Sequence, residues 1–498
     1  MIAPLLLFFA GWDVDGYQRG LDLARAGQWE AARQVFEAAW ANSPSDKRYP
    51  LELAGIAYRN GDHASAKRYL RLALRLDPRD PYGNDFLGTL YFLDRNIEAA
   101  LKYWNRIGKP RLGAVSIDPP SPTHAVLLDR AMAFSPAALL TLDAFHATRA
   151  RLDALQLFTA YNLELQAKPS EQFDAILHWT NSSPWLPMAA AAGGLPYQTL
   201  YADFRDVAGA GNWSNLLRWD AQKRRIMSSF SAPFRGDPKW RYTLYADARS
   251  ETWNLEAPSD FRLARIEAGA ALRSIPTGRF SWTMALIAAS RHFRGAPFTG
   301  GFSAKYRAAA ALRLLDLPEH RFTLDGTAAW DLARLFSAGG GLYSRGQAGL
   351  AARWLPQPRG RDYEINTRAR AGKIIGPAPF DELFLIGVER DSELWLRGHS
   401  GTLSGKKGSA PIAASYFLSN TELDKQLFEY TLLRVSAGPF LDVARVQDFR
   451  HRFSRSWFID AGVQTKIALT GAMTLTVSYG RPLRGGGHAI YAAIGAVR

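Results

Sequence analysis

The sequence predicts three parts in order: an all-α repeat solenoid, a small α/β domain, and an antiparallel transmembrane β-barrel of about 16 strands. Three observations predict this. Residues near the amino terminus recur with a period of 34. Over about the last 300 residues, apolar and polar side chains alternate with period two. No apolar run reaches the roughly 18 residues that a spanning helix needs. A membrane protein of this sequence must therefore cross with a closed sheet, because open sheet edges cannot sit in lipid.

Composition narrows the chemistry. The chain has no cysteine, which removes disulfides, thiolate metal sites and cysteine nucleophiles. Aromatic residues make up 12%, including 15 Trp and 19 Tyr, which suits the aromatic girdles of a membrane barrel. The formal charge of +15 is spread along the alternating segments. That spread argues against a nucleic-acid arm and for a membrane surface or an acidic cargo. Residues 1–12, with the apolar stretch Ile2–Trp12, read either as the remnant of a signal peptide or as a vector-derived or truncated start.

Residues 13–110 carry the repeat. Gly20, Ala54 and Gly88 stand 34 apart, as do Ala32, Ala66 and Ala100, and as do Phe36, Leu70 and Trp104. Pro44 and Pro78 keep the same spacing. Small residues where helices cross, and a proline closing each unit, resemble the tetratricopeptide pattern. Gly27-Gln-Trp and Gly61-Asp-His supply turns, and Arg95-Asn96 takes that place in the third unit. Three units are about the minimum for a stable stack, so this one is expected to lean on its neighbour. The two readings are a protein-binding groove and a rigid spacer.

Residues 111–181 change character. Val115–Ile117 reads as a short strand, and Ser135-Pro136 as the cap and first turn of a helix. Thr148–Leu157 reads as a second helix, and Phe158–Gln166 and Phe173–Trp179 as paired strands, with Pro169-Ser170 in their turn. This β-α-α-β-β order, with the run from Ala150 to Leu163, resembles a POTRA domain. That family ends the second helix on a glycine, where this chain has Gln156. A linker over 182–196, rich in Ser, Pro, Ala and Gly, leads to the barrel at 197–498.

The barrel is read from alternation. Trp240, Tyr242, Leu244, Ala246 and Ala248 face one way, and Arg241, Thr243, Asp247, Arg249 and Glu251 the other. Ala304–Leu314, Tyr363–Ala371 and Met473–Tyr479 repeat the pattern. A soluble sandwich or soluble barrel is the alternative. Long charged rows and strands of ten or more residues fit a wet lumen and tilted spanning strands better.

The segment Phe384–His399 contains Leu396-Arg397-Gly398-His399. It resembles the inward-folded loop of the BamA/TamA superfamily of outer-membrane assembly and translocation barrels, which carries Val-Arg-Gly-Tyr/Phe. Phe440-Leu-Asp-Val-Ala resembles the following Phe-x-Asp-x-Gly strand. Phe458-Ile-Asp-Ala-Gly-Val matches that motif or the strand after it. Either Glu422 or Glu429–Arg434 matches the family's Glu-x-Arg strand. Alternation places Asp442 on a face with Arg434, and Asp460 on a face with Gln464 and Lys466. An arginine can grip a carboxylate with two parallel hydrogen bonds. The resemblance implies that Arg397 docks on the wall at Asp442, or alternatively at Asp460. Gly398 would then allow the backbone a close approach.

No catalytic constellation, metal site or cofactor cradle is read. The nine histidines are scattered, and Gly339-Gly-Gly and Gly485-Gly-Gly lack a following Lys-Ser/Thr. The basic lumen row is Arg241, Arg249, Lys305, Arg307, Arg313, Arg368 and Arg370. It is read either as a path for anionic material or as partners of lumenal acids and the inserted loop.

The expected function is outer-membrane protein assembly or translocation. The protein would sit in outer-membrane lipid, with its repeats and POTRA-like domain in the periplasm recruiting a client or partner. Two alternatives stand beside it: a conduit exporting an anionic polymer such as a polysaccharide, and a structural barrel anchoring a periplasmic complex.

Overall fold

The computed structural model describes residues 12–496 except 122–123, 170–171, 181–193, 256–258, 338, 359, 431–432, 450–453 and 470–472. The apolar start at 1–11, most of the 182–196 linker and the last two residues lie outside this range. The chain forms two compact units. One combines residues up to 114 with 136–142 and 167–174, and the other combines 115–135, 143–166 and 175–498.

The first unit holds three helix pairs: α1 (Trp12–Arg25) with α2 (Trp29–Asn42), α3 (Arg48–Arg59) with α4 (His63–Leu76), and α5 (Pro81–Leu93) with α6 (Ile97–Trp104). The 34-residue period is a packing rule. A Cβ on Gly20 would collide with the Phe36 ring, and one on Gly88 with the Trp104 ring. Where the middle unit has the smaller Leu70, Ala54 fits, and both are fully buried. The third helix pair also leans on a neighbour, as expected: Trp104 and Phe92 pack on Phe173 at 5.1 and 5.7 Å between ring centroids.

The turns repeat as well. Gly27 and Gly61 adopt φ of 77° and 76°, and Arg95 takes the same left-handed place at 59°. A left-handed residue with a side chain costs about 1–2 kcal/mol. Arg95→Gly is therefore expected to stabilise the repeat stack by about 1 kcal/mol, read as a raised denaturation midpoint. Asp62 and Asn96 cap α4 and α6 by accepting from Ser65 and Ala99 N–H groups. Gln28 stands 34 residues earlier and makes no such bond. Asp62→Ala is expected to cost about 1 kcal/mol in the same melt, whereas Gln28→Ala is expected to cost almost nothing.

The α/β segment has the expected order: β1 (Leu112–Asp118), α7 (Ala125–Ala131), α8 (Leu142–Leu155), β2 (Ala160–Ala167) and β3 (Phe173–Thr180). Its sheet order is β1-β3-β2. Both helix starts differ from expectation. Ser135-Pro136 does not open a helix. Residues 137–140 instead run beside the start of β1, with Leu112 N–H bonded to the Ala138 carbonyl oxygen and Ala137 N–H to that of Leu112. Pairing with a strand satisfies backbone groups that a helix would otherwise satisfy. The second helix begins at Leu142 rather than Thr148, because the Asn105 side chain accepts its first N–H at 2.8 Å from 37 residues upstream. It ends on Gln156 at φ 53°, the left-handed position where a glycine was expected.

The second unit contains fifteen long strands among the described residues, from Thr199–Val207 to Ala489–Ala496, against about sixteen expected. They form one barrel sheet in which consecutive long strands pair antiparallel. The 331–343 stretch resolves into the ends of the strands Phe322–Phe336 and Leu342–Trp354.

Polarity is reversed relative to a soluble protein. Ile266, Leu286 and Ile490 are 65–70% exposed, while Asp247, Glu251, Arg291, Lys305 and Asp331 are buried. Leaving aliphatic side chains out while enclosing charge is unfavourable in water and favourable in lipid. The soluble sandwich is excluded on this ground. No helix among the described residues is long and apolar enough to cross a membrane. The turns at 208–210, 235–236 and 275–279 lie at the end that meets α7 and α8. There Arg130 bonds the Gly236 carbonyl oxygen and Asn212 that of Leu155.

Candidate functional site

The strand Tyr363–Ile375 leaves the opposite end of the barrel, and the chain does not return to a spanning strand until Ile412–Tyr430. The residues between fold inward. Apolar chemistry drives part of this: Phe384, Ile386, Leu394 and Leu396 are buried against Tyr416, Leu418, Ala444 and Val446 of the wall. Phe384-Leu385 also pairs as a short strand with Ile412-Ala413.

The tip of this loop carries Arg397. Its Nε and Nη2 donate to Asp442 Oδ2 and Oδ1 at 2.9 and 2.6 Å, a two-pronged grip. Its Nη1 donates to Glu422 at 2.6 Å and Gln464 at 2.8 Å. Its guanidinium lies 3.8 Å from the centre of the Phe440 ring. The two candidate carboxylates do not compete. Asp460 accepts from Gly398 N–H at 2.5 Å and lies 3.0 Å from His399 Nδ1. His399, in the aromatic position of the motif, meets the Phe458 ring edge-on. Of the two glutamate segments, Glu422 belongs to the site, while Glu429 pairs with Arg434 at an exposed strand end.

Register explains why a cation belongs here. Asp442 and Asp460 sit directly opposite each other on adjacent strands, and both are fully buried. Like charges at facing positions repel. Arg397 and the Gly398 N–H supply positive charge and donors to both. Two glycines allow the fit. A Cβ on Gly398 would press on the Asp460 carboxyl, and one on Gly480 would strike the backbone of Arg397 and Gly398.

The basic lumen row has mixed partners. Arg249 pairs with Asp247, Arg307 with Asp331 and Arg313 with Asp325. Lys305 binds Glu382 of the inward loop, and Arg370 binds Asn420 and the Glu393 carbonyl oxygen. Arg241 bonds Ser231 and the last carbonyl of α8 at Leu155. Arg368 is exposed on its strand. Two further acids of the barrel strands are also engaged: Glu251 by Lys407 of the loop and Glu364 by Arg353.

Sequence reasoning missed the acids of the loop itself. Asp381 and Glu382 meet Arg265, Arg291 and Lys305. Glu389 meets Lys223, and Asp391 meets Arg218, Arg225 and Lys407. The available signal was two acidic pairs, Glu389/Asp391 within the segment read as inserted and Asp381-Glu382 just before it, facing a basic lumen row. Between the loop and the wall remains a cavity of about 830 Å³, lined in part by Arg249, Arg307, Asp331, Arg370 and Asp391.

CdiB from Escherichia coli superposes with a TM-score of 0.53 at 13% identity, over 77% of this chain and 76% of that one. The barrel has the fold of CdiB. CdiB from Acinetobacter baumannii is also similar, with a TM-score of 0.48 and 11% identity over 77% of this chain and 73% of that one. So is BamA from Haemophilus ducreyi lacking POTRA domains 1–3, with a TM-score of 0.43 and 13% identity over 76% and 82%. Residues 23–90 match the tetratricopeptide repeat family, where the 34-residue spacing was read. No curated protein matches the chain by sequence.

Proposed function

We propose that this chain is an outer-membrane assembly or translocation barrel whose repeats recruit a client or partner on the periplasmic side. The observation that carries the reading is the loop tip, Arg397-Gly398, seated on the facing carboxylates Asp442 and Asp460 inside a barrel of the CdiB fold. No covalent chemistry is required. A client strand would be added by backbone pairing at a sheet edge, where unpaired N–H and C=O groups offer a template.

The repeats present a surface suited to recruitment. Tyr58 and Tyr82 are exposed, and both pack against Phe86, at 5.4 and 5.8 Å between ring centroids. Exposed aromatic clusters are typical protein-contact anchors. The conduit reading has less support, because most of the basic row is engaged with acids, carbonyls or the loop. The scaffold reading leaves the buried loop lock without a use.

Depletion tests the choice. The expected result is loss of folded client barrels, read by heat-modifiable gel mobility, with surface polysaccharide unchanged. Normal barrels with lost polysaccharide would sink the reading. A photo-crosslinker at Tyr82 is expected to capture an outer-membrane or periplasmic protein during that process.

A further inference from the structure

The eight residues from Arg390 to Arg397 touch both ends of the strand row. On the opening side, Arg390 donates to the Tyr197 carbonyl oxygen at 3.0 Å and lies over the Tyr197 ring at 4.8 Å. Tyr197 lies just before the first described strand, Thr199–Val207. Asp391 accepts from Arg218 at 2.8 Å and from Arg225 at 2.6 Å, on the next two strands, Gly211–Trp219 and Lys223–Phe234. The Asp391 and Arg218 side chains are only 6% and 1% exposed.

On the closing side, Trp395 meets Tyr491 of the final strand edge-on at 5.6 Å. Arg397 then holds Asp442, Glu422 and Gln464. Gly398 packs beside Gly480 of the penultimate long strand, Met473–Pro482.

This placement matters because of where the sheet closes. Among the described residues, the first and last long strands, Thr199–Val207 and Ala489–Ala496, are neighbours in the barrel and run the same way. A parallel pairing is slightly less stable per residue than the antiparallel ladders elsewhere in the wall. The loop braces this junction from inside.

We propose that residues 390–397 are an internal clasp joining the two ends of the barrel, with Asp391 as its positioning residue on the opening side. Arg397 fixes the loop to the closing strands. Asp391 and Arg390, beside Glu389 on Lys223, carry that anchorage across to the opening strands. In the assembly reading, on which this use of the clasp rests, a client edge would gain access when the Asp391 side lets go while Arg397 keeps its seat.

The test is a distance measurement on the full-length barrel. The chain has no cysteine, so Leu217→Cys with Ile490→Cys gives two unambiguous nitroxide sites, both exposed on their strands. Double electron–electron resonance on the parent is expected to give one narrow distribution. Asp391→Asn is expected to raise the separated population roughly tenfold. Arg390→Ala strands no buried charge, and it is expected to shift the distribution the same way by less.

Heat-modifiable mobility reports whether each variant is folded. Parental distances in both folded variants overturn the clasp. If Asp391→Asn does not fold, the Arg390→Ala distances decide alone. Separation of the ends in a protein whose depletion spares every client would keep the clasp and remove the assembly reading.

Discussion

Arg397→Ala is expected to free the inward loop and abolish function, and adding Asp442→Ala is expected to cost nothing more. The reasoning starts from burial. Arg397 and Asp442 are 2% and 0% exposed, and breaking one partner of such a pair costs about 3–5 kcal/mol, because the other is left charged and dry. Arg397→Ala strands two carboxylates, since Asp442 faces Asp460 across the strand pair. Asp442→Ala in that background removes half of the repulsion. The double variant should therefore match or slightly exceed Arg397→Ala in barrel stability and activity, a strongly non-additive cycle. Asp442→Ala alone should be severe but milder, because Glu422 and Gln464 still hold the guanidinium. Urea midpoints of the four proteins, with client assembly as the readout of the proposed function, measure this, and additive losses would refute the lock.

Gly480→Val is expected to expel the same loop without touching a charge. The first atom added at Gly480 meets the carbonyl of Arg397 and the N–H of Gly398. Those are backbone atoms, held in turn by Asp442 and Asp460, so they cannot rotate aside as a side chain could. Overpacking of this kind costs about 1–3 kcal/mol where neighbours yield and more where they do not. Leu396 is fully buried, so Leu396→Cys offers a reporter in a chain with no other thiol. Maleimide labelling at that position should be slow in the parent and at least about tenfold faster with Gly480→Val, in line with a loss of about 1.4 kcal/mol or more. Unchanged labelling would mean that the loop tolerates the side chain and that Gly480 is not part of its seat.

What the sequence revealed depended on how local the physics was. Alternation put Asp442 and Asp460 inside because the side-chain period of a strand needs only a few residues to read. The Arg397 partner was legible because a motif and that alternation converged. Asp391 was not, because its partners Arg218 and Arg225 lie 173 and 166 residues away and meet it only once the loop has turned inward. The same distinction holds in the helices. Gly20 with Phe36 and Gly88 with Trp104 are short-range pairs and announce themselves through the period. The true start of α8 is set by Asn105, outside any local window, so a local reading starts it at Thr148. Arg95 and Gln156 are a third kind of case. The turn positions were correctly located, but the expected glycine was replaced by residues that bear the strain.

The facing pair Asp442 and Asp460 also bears on how the barrel is made. Their two strands can zip together along sixteen register positions, yet that zipper carries two buried negative charges at its middle. A chain that completed these strands with the loop left outside would hold both charges unneutralised in a dry wall. It would be less stable than the correctly threaded product by the whole of that repulsion. The wall thus discriminates between insertion products by charge balance, and a misthreaded barrel carries its own penalty.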